Sequence, residues 1–169
     1  MGVLHAQVAL ATGASRVMVT QRSEPRLAML RQMDGIMAID GGNEDVTQKV
    51  RSETDGLGAD VVIVCGPTPE AHRQALDLTR KGGTVSLFAS LPPDEALVDF
   101  NSRDIHYGER RIVGSSDSRP EHVRKAVRLL AEGRLDVEPV ITHRLPLEEM
   151  QHGLELMKKK ESLKVLLEP

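Results

Sequence analysis

Short runs of apolar, often β-branched residues alternate along the chain with longer segments whose apolar residues recur at helical spacing. The short runs are almost continuously hydrophobic, which is typical of strands covered on both faces of a parallel sheet. The predicted strands are Val17–Thr20, Ile36–Asp40, Val61–Cys65, Thr84–Ala89, Arg110–Ser116 and Leu163–Leu167. Because helices of ten or more residues separate most of them, the pattern predicts an α/β fold with a doubly wound parallel sheet.

Capping and turn residues predict where the helices begin and end. The predicted amino-terminal caps are Ser23 for a helix over 24–34, Asn43 for the next helix and Thr68 for a third. The predicted carboxyl-terminal ends are Gly35, Lys81–Gly83 and Gly133. Two further helices carry apolar faces, formed by Val123, Val127 and Leu130 in the first and by Leu147, Met150, Leu154 and Met157 in the second.

The composition of the chain argues against several kinds of binding partner. The 169 residues correspond to about one domain, and 22 basic against 25 acidic residues give a net charge of −3. Near-neutral charge and 2% aromatic residues argue against binding to nucleic acid or to an anionic membrane surface. One cysteine, Cys65, excludes an internal disulfide and a multi-thiolate zinc site. With no signal-peptide pattern at the amino terminus, we expect a cytoplasmic protein.

Candidate chemistry lies where the predicted strands end. Ligands of open parallel sheets bind beyond the carboxyl ends of the strands. Those ends are Thr20–Arg22, Asp40–Gly42, Cys65–Pro67 and Ala89–Leu91. Glycine and other small residues recur there, which lets a ligand approach the backbone closely.

The order of several sequence blocks resembles the zinc-type medium-chain dehydrogenases, above all the sorbitol and threonine dehydrogenases. The blocks are Gly2–Ala11, Gly13–Thr20, Ala59–Gly66, Lys81–Val85, Ile141–Met150 and Leu163–Pro169. Members of that family have a first strand and a Gly-x-Gly-x-x-Gly turn before the helix that here is expected to begin at Val3. Only the last glycine of that turn has a counterpart, Gly2.

The resemblance implies a Rossmann-like sheet that lacks its first strand, followed by a carboxyl-terminal helix and strand. Residues 1–116 would be a truncated dinucleotide-binding domain. Residues 117–169 would be the segment that packs in the family against a zinc-binding catalytic domain, which has no counterpart in this chain. We therefore expect a carboxyl-terminal fragment, or a reading frame that starts at an internal methionine.

The resemblance also assigns NAD(P)-binding residues. Gly2 would let the pyrophosphate approach a helix amino terminus. Gln21 stands where NAD-dependent members carry an acid on the ribose hydroxyls, and Arg22 and Arg26 would pair with a 2′-phosphate. Gln21, Arg22 and Arg26 together favour NADP over NAD. The alternatives are a flexible terminal glycine and two solvated arginines.

The remaining assignments concern the third and fourth predicted strands. Cys65 and Gly66 would lie against the adenine-side ribose or the pyrophosphate, although Cys65 is more typical of a small buried hydrophobic residue. Ala89, Ser90 and Leu91 would offer backbone groups to the nicotinamide carboxamide, or would simply form the exit from a strand.

These residues predict the cofactor-binding portion of a zinc-type NAD(P)-dependent alcohol or polyol dehydrogenase. The fragment alone would be inactive, since it offers no catalytic residue and no metal site. Zinc and a small alcohol or polyol substrate would belong only to the full-length form. A non-catalytic nucleotide-binding or structural module is the alternative. By resemblance, Arg110–Ser116 would be an edge strand that joins two copies into a homo-oligomer.

Overall fold

The computed structural model describes all 169 residues, in which helices alternate with strands along the chain. The α-helices are α1 (Gly2–Ala11), α2 (Glu24–Leu30), α3 (Val46–Ser52), α4 (Pro69–Leu78), α5 (Ser102–Gly108), α6 (Pro120–Ala131) and α7 (Met150–Lys158). The strands are β1 (Val17–Gln21), β2 (Ile36–Asp40), β3 (Ala59–Val64), β4 (Thr79–Leu87), β5 (Arg111–Gly114), β6 (Ile141–Pro146) and β7 (Lys164–Glu168). Every strand pair is parallel, which confirms the predicted α/β class. No helix is both long and apolar enough to cross a membrane.

The chain forms two compact units, each with its own interior. The first unit comprises Met1–Glu44 and Arg119–Pro169, and the second comprises Asp45–Ser118.

The first unit holds two small parallel sheets. β1 pairs with β2 over five residues, from Val17 opposite Ile36 to Gln21 opposite Asp40, and β6 pairs with β7. Buried side chains from α1, α2 and the turns that follow α2 and α6 form its core, namely Val3, Leu30, Met33 and Val140. The core thus lies against one face of β1 and β2, from which Val19, Ile36 and Ala38 contact it.

The second unit holds one three-stranded sheet in the order β3-β4-β5, with β5 at an edge as predicted. Its core consists of Val64 and Val85 from the strands and Ala75 and Leu76 from α4. Thr68 caps α4 as predicted: its hydroxyl oxygen accepts from the N–H of Ala71 at 3.3 Å, and Pro69 occupies the first helical position.

Of the two other predicted caps, Asn43 is wrong and Ser23 is confirmed in position only. α3 begins at Val46, so Asn43 is not its cap and donates through its side-chain amide to Asp40 instead. Asp45 caps the helix and accepts from the N–H of Gln48 at 3.0 Å. Ser23 occupies the cap position of α2, but its side chain makes no capping hydrogen bond. That helix ends at Leu30 rather than at 34, and a turn follows that leads to Gly35, whose φ is +75°.

The predicted end of α4 at Lys81–Gly83 is also wrong, because those residues lie inside β4. Ala59 of β3 pairs with Thr79, whereas Val61, two residues later, pairs with Thr84. Residues 80–83 therefore form a bulge at the amino end of β4. Gly83 is required there, since a Cβ at this position would lie 2.6 Å from Thr79 Cγ2 and 3.0 Å from the carbonyl oxygens of Arg80 and Asp60.

The sequence pattern missed two elements, α5 and β6. It also overestimated how much of the apolar surface is buried. Gly133 ends the α6 segment with a φ of +65°, as predicted. The predicted apolar faces of α6 and α7 are nevertheless exposed, namely Val123, Val127, Leu130, Leu147, Met150, Leu154 and Met157. Leu129 is the buried residue of α6, and Gly153 that of α7.

Candidate functional site

The nine candidate residues divide between the two units. Gly2, Gln21, Arg22 and Arg26 belong to the first unit. Cys65, Gly66, Ala89, Ser90 and Leu91 belong to the second. Each group lies at the carboxyl ends of parallel strands or at a helix amino terminus, which are the places where such folds bind ligands.

Gln21, the last residue of β1, uses the oxygen of its side-chain amide, but not the NH₂ group, in hydrogen bonds within the chain. Its Oε1 accepts from the backbone N–H groups of Arg22 at 2.8 Å and Ser23 at 3.1 Å. Both neighbours are donors, so the atom that faces them is the oxygen, and the NH₂ group makes no hydrogen bond within the chain. Gln21 can therefore donate to a ligand, as a phosphate oxygen requires.

Arg22 and Arg26 lie just beyond Gln21 but are held differently. The Arg22 side chain is exposed and makes no hydrogen bond or ion pair. Arg26, in the first turn of α2, is half-buried and donates through Nε to the carbonyl oxygen of Ser162 at 3.2 Å. A guanidinium has five N–H groups, so Arg26 keeps donors for an anion after this bond.

A carboxylate that the sequence analysis did not single out lies opposite Gln21. Asp40 pairs with Gln21 in the β1–β2 register, and Gly41 N–H donates to the Gln21 carbonyl oxygen at 3.0 Å. The Asp40 carboxylate accepts from the Asn43 side chain at 2.8 Å and from Gly42 N–H at 2.9 Å. These bonds, that from Asn43 above all, lower the pKa of Asp40. The Asp-Gly-Gly-Asn run is the sequence signal for this turn.

Gly2 is the first residue of α1, one position earlier than the start predicted at Val3. The carbonyl oxygen of Met1 accepts from the N–H groups of Leu4 and His5. The N–H groups of Gly2 and Val3 have no partner within the helix, as at any helix amino terminus.

Cys65 and Gly66 follow the last residue of β3 in the second unit. Cys65 is half-buried, and this burial raises the pKa of its thiol, so the group is protonated at neutral pH. This result agrees with a small apolar residue rather than a reactive nucleophile. A Cβ on Gly66 would meet Ala71 of α4 at 3.6 Å, an ordinary contact distance, so steric exclusion does not require glycine there.

The segment 89–91 begins beside the end of β3. The N–H of Ala89 donates to the carbonyl oxygen of Val64 at 2.8 Å, which brings Ala89 next to Cys65. The Ser90 hydroxyl donates to the Leu91 carbonyl oxygen at 3.3 Å. The backbone N–H groups of Ser90 and Leu91 make no hydrogen bond within the chain, so two donors remain for a ligand.

Metal-binding side chains do not converge anywhere in the chain. No group of three His, Cys, Asp or Glu side chains lies close enough together to hold a metal ion.

Comparison with known proteins places the whole chain among dehydrogenases. A family model described as zinc-binding dehydrogenase matches residues 1–132. The chain is 35% identical over 170 residues to L-threonine 3-dehydrogenase from Bacillus licheniformis and 34% identical over 174 residues to sorbitol dehydrogenase from Halalkalibacterium halodurans. Each match covers 100% of this chain but 49% of the relative, so the chain spans about half the length of these relatives.

Solved structures agree in fold. The 2R,3R-butanediol dehydrogenase of Bacillus subtilis superposes with a TM-score of 0.87 at 22% identity, over 99% of this chain and 47% of that one. A zinc-binding dehydrogenase from Sinorhizobium meliloti, solved with bound NADP, gives a TM-score of 0.84 at 27% identity, over 99% of this chain and 49% of the other.

Proposed function

The chain belongs to the zinc-binding dehydrogenase family and corresponds to the cofactor-binding portion of an NAD(P)-dependent dehydrogenase, and we propose that it binds NADP(H) in preference to NAD(H). When bound, the nicotinamide supplies the chemistry by accepting or donating a hydride. The residues of this chain bind and orient the cofactor.

The hydrogen bonding of Gln21 carries this proposal. Its oxygen is held by two backbone N–H groups, so the side chain offers NH₂ donors at the position where an acid would repel a 2′-phosphate. Arg22 and Arg26 add positive charge within five residues of Gln21. A structural neighbour of 27% identity was solved with bound NADP, which supports the proposal that this fold accepts that cofactor.

The other assignments follow the same chemistry. We propose that Gly2 receives the pyrophosphate at the amino terminus of α1, where unpartnered N–H groups favour an anion. Cys65 and Gly66 are proposed to contact the adenine-side ribose or the pyrophosphate. Ala89, Ser90 and Leu91 are proposed to hold the nicotinamide carboxamide through the unused N–H groups of Ser90 and Leu91.

Turnover of an alcohol or polyol is proposed only for a longer protein that includes a zinc-binding catalytic domain. The donor set of this chain does not fit zinc, so no step of the reaction is assigned to zinc here. We propose residues 117–169 as the segment that packs against such a domain. The exposed apolar residues of α6 and α7 support this assignment, since large apolar patches mark interaction surfaces.

We further propose a cytoplasmic location and self-association through β5. This strand pairs only with β4, which leaves its other edge open, and Val113 is exposed on it. An open edge is a ready site for pairing with a second copy. Light scattering at micromolar concentration tests this proposal: a dimer is expected, and a persistent monomer would count against it.

Calorimetry with NADPH and NADH tests the cofactor preference. The wild-type chain should bind NADPH more tightly than NADH. Gln21→Asp should weaken the affinity for NADPH by about tenfold or more, because like-charge juxtaposition costs several kcal/mol. Gln21→Glu is the matched variant with a longer acid and should act in the same direction. Equal affinity for both cofactors, or no effect of Gln21→Asp, would contradict the proposal.

A further inference from the structure

The second unit contains a pocket that the cofactor-binding proposal does not use. Its volume is about 370 Å³, which is within the range of small-molecule sites. Its lining residues are Arg51, Gly56, Leu57, Arg80, Lys81 and Arg110. Four of these six residues are cationic and none is acidic.

The pocket lies at the amino ends of the parallel strands, at the end of the three-stranded sheet opposite to Cys65 and Ala89. Its residues come from the last turn of α3, the loop before β3, the start of β4 and the residue before β5. These are the amino ends of parallel strands, whereas Cys65 and Ala89 follow the carboxyl ends. A six-residue strand such as β3 separates the two edges by about 20 Å.

The β4 bulge supplies two of the four cations. The four residues 80–83 stand opposite the single residue Asp60 of β3, so the chain bulges where the strand begins and carries Arg80 and Lys81 to the pocket. Gly58 allows this close approach, since a Cβ there would lie 2.8 Å from the carbonyl oxygen of Leu78 and 3.0 Å from Arg80 N. The φ of Gly58 is +100°, which other residues rarely adopt.

Two of the arginines are held in place by the fold. Arg80 donates through Nε to Asp60 at 2.6 Å and through Nη1 to the carbonyl oxygen of Lys81 at 2.7 Å. Arg110 donates through Nε to the carbonyl oxygen of Thr79 at 3.0 Å. Each guanidinium therefore keeps unused N–H groups in an orientation set before any ligand arrives, which lowers the ordering cost of binding.

The other two cationic side chains have no partner within the chain. The side chains of Arg51 and Lys81 make no hydrogen bond or ion pair, and the neighbouring carboxylate of Asp60 already pairs with Arg80. The pocket thus carries an excess positive charge contributed by Arg51, Lys81 and Arg110. A phosphate group carries a charge of about −1.5 to −2 at neutral pH, so one or two of them match this excess.

We propose that this pocket binds a small phosphorylated compound. Arginine forks match phosphate oxygens in pairs, and lysine adds a point charge, so this set of donors suits phosphate better than a single carboxylate. The site is separate from the one proposed for the dinucleotide and does not depend on it.

Titration of the isotopically labelled chain with inorganic pyrophosphate, followed by amide NMR, tests the proposal. The N–H signals of Gly56, Leu57 and Lys81 should shift with a saturable dependence on concentration. Arg51→Gln and Lys81→Gln should each weaken binding about tenfold, which corresponds to about 1.4 kcal/mol, because each removes a charge-assisted hydrogen bond to the ligand. Neither side chain has a partner within the chain, so both variants are expected to fold.

Arg73→Gln is the matched control, since it removes the same charge from α4 in the same unit but outside the pocket. It should change the affinity by no more than about twofold, as expected of a screened surface charge. Shifts that saturate only at Gly66 and its neighbours, tighter binding of citrate than of pyrophosphate, or equal losses in all three variants would overturn the proposal. NADPH affinity should remain unchanged in Arg51→Gln and Lys81→Gln whatever the outcome for pyrophosphate.

Discussion

The Nε atom of Arg26 lies 3.2 Å from the carbonyl oxygen of Ser162, and this hydrogen bond joins the first turn of α2 to the segment that precedes β7. The two residues are 136 positions apart, so the bond links distant parts of the first unit. It also distinguishes the two arginines that we propose for the cofactor phosphate. The Arg26 side chain is hydrogen-bonded to the protein backbone before any ligand binds, whereas the Arg22 side chain makes no hydrogen bond or ion pair.

Replacement of these arginines should therefore separate stability from binding. Arg26→Ala should lower the melting temperature by about 2–4 °C, since a hydrogen bond contributes about 1 kcal/mol and the Ser162 oxygen loses its donor. Arg22→Ala should leave the melting temperature unchanged. Both variants should weaken the binding of NADPH. Differential scanning calorimetry with and without NADPH measures both effects, and equal melting temperatures for the two variants would contradict this distinction.

The folded chain should be more stable with alanine in place of Ser162. Its side chain is 0% exposed, and the hydroxyl oxygen has no hydrogen-bond partner. Burial of an unsatisfied hydroxyl costs about 1–3 kcal/mol, so Ser162→Ala should raise the free energy of unfolding by about 1 kcal/mol. Urea unfolding measures the change. Ser52→Ala is the control, because the Ser52 hydroxyl is exposed and donates to Lys49; a similar gain there would rule out this cause.

His72 presents a comparable case in the second unit. This residue of α4 is 4% exposed, and its Nε2 is buried without a partner. His72→Leu should stabilise the chain by about 1 kcal/mol, because leucine removes the unsatisfied nitrogen and has a higher helix propensity. His152→Leu makes the same replacement at an exposed position of α7 and should have a much smaller effect. Thermal unfolding of both variants makes the comparison, and a loss of stability in His72→Leu would refute the prediction.

Asp40 should titrate below the ordinary value of 3.8, because hydrogen bonds from Asn43 and Gly42 favour its charged form. A carboxyl whose pKa is lowered by folding stabilises the folded state above its unfolded pKa, and this contribution is lost as the pH falls through the folded pKa. Asn43→Ala should move the pKa back up. Carboxyl NMR titration of both forms measures it, and an unchanged midpoint would show that Asn43 is not the main cause.

Local sequence determined much of the secondary structure. The mostly apolar run at Ile36–Asp40, with β-branched residues at positions 36 and 39, forms a strand with the predicted bounds, because such residues fit a half-buried, extended backbone. Thr68 followed by Pro69 begins α4, since a capping oxygen and a preset φ act within one turn of chain. The parallel pairing followed from strand alternation with helices.

Competition between neighbours was not visible in the sequence. Asn43 and Asp45 can both cap a helix, and Asp45 is the cap because α3 begins at Val46, while Asn43 lies in the preceding turn and donates to Asp40. The resemblance places Gln21 at the position of an acid in NAD-dependent members, but only the three-dimensional turn shows that its oxygen is already occupied and its NH₂ group is available.

Contacts between distant segments were decided by tertiary structure alone. β6 contains His143 and Arg144 and lacks a strong strand pattern, yet it pairs with β7 more than 20 residues later. The pocket brings together Arg51 of α3, Arg80 of β4 and Arg110 from the residue before β5, and no spacing in the sequence predicts that they meet. Propensity and capping act over a few residues, so the sequence determined most of the elements and the parallel class of the fold, but not α5 or β6. Burial and side-chain pairing depend on which segments meet, so only the tertiary structure decided where the charges, the unsatisfied groups and the exposed apolar faces lie.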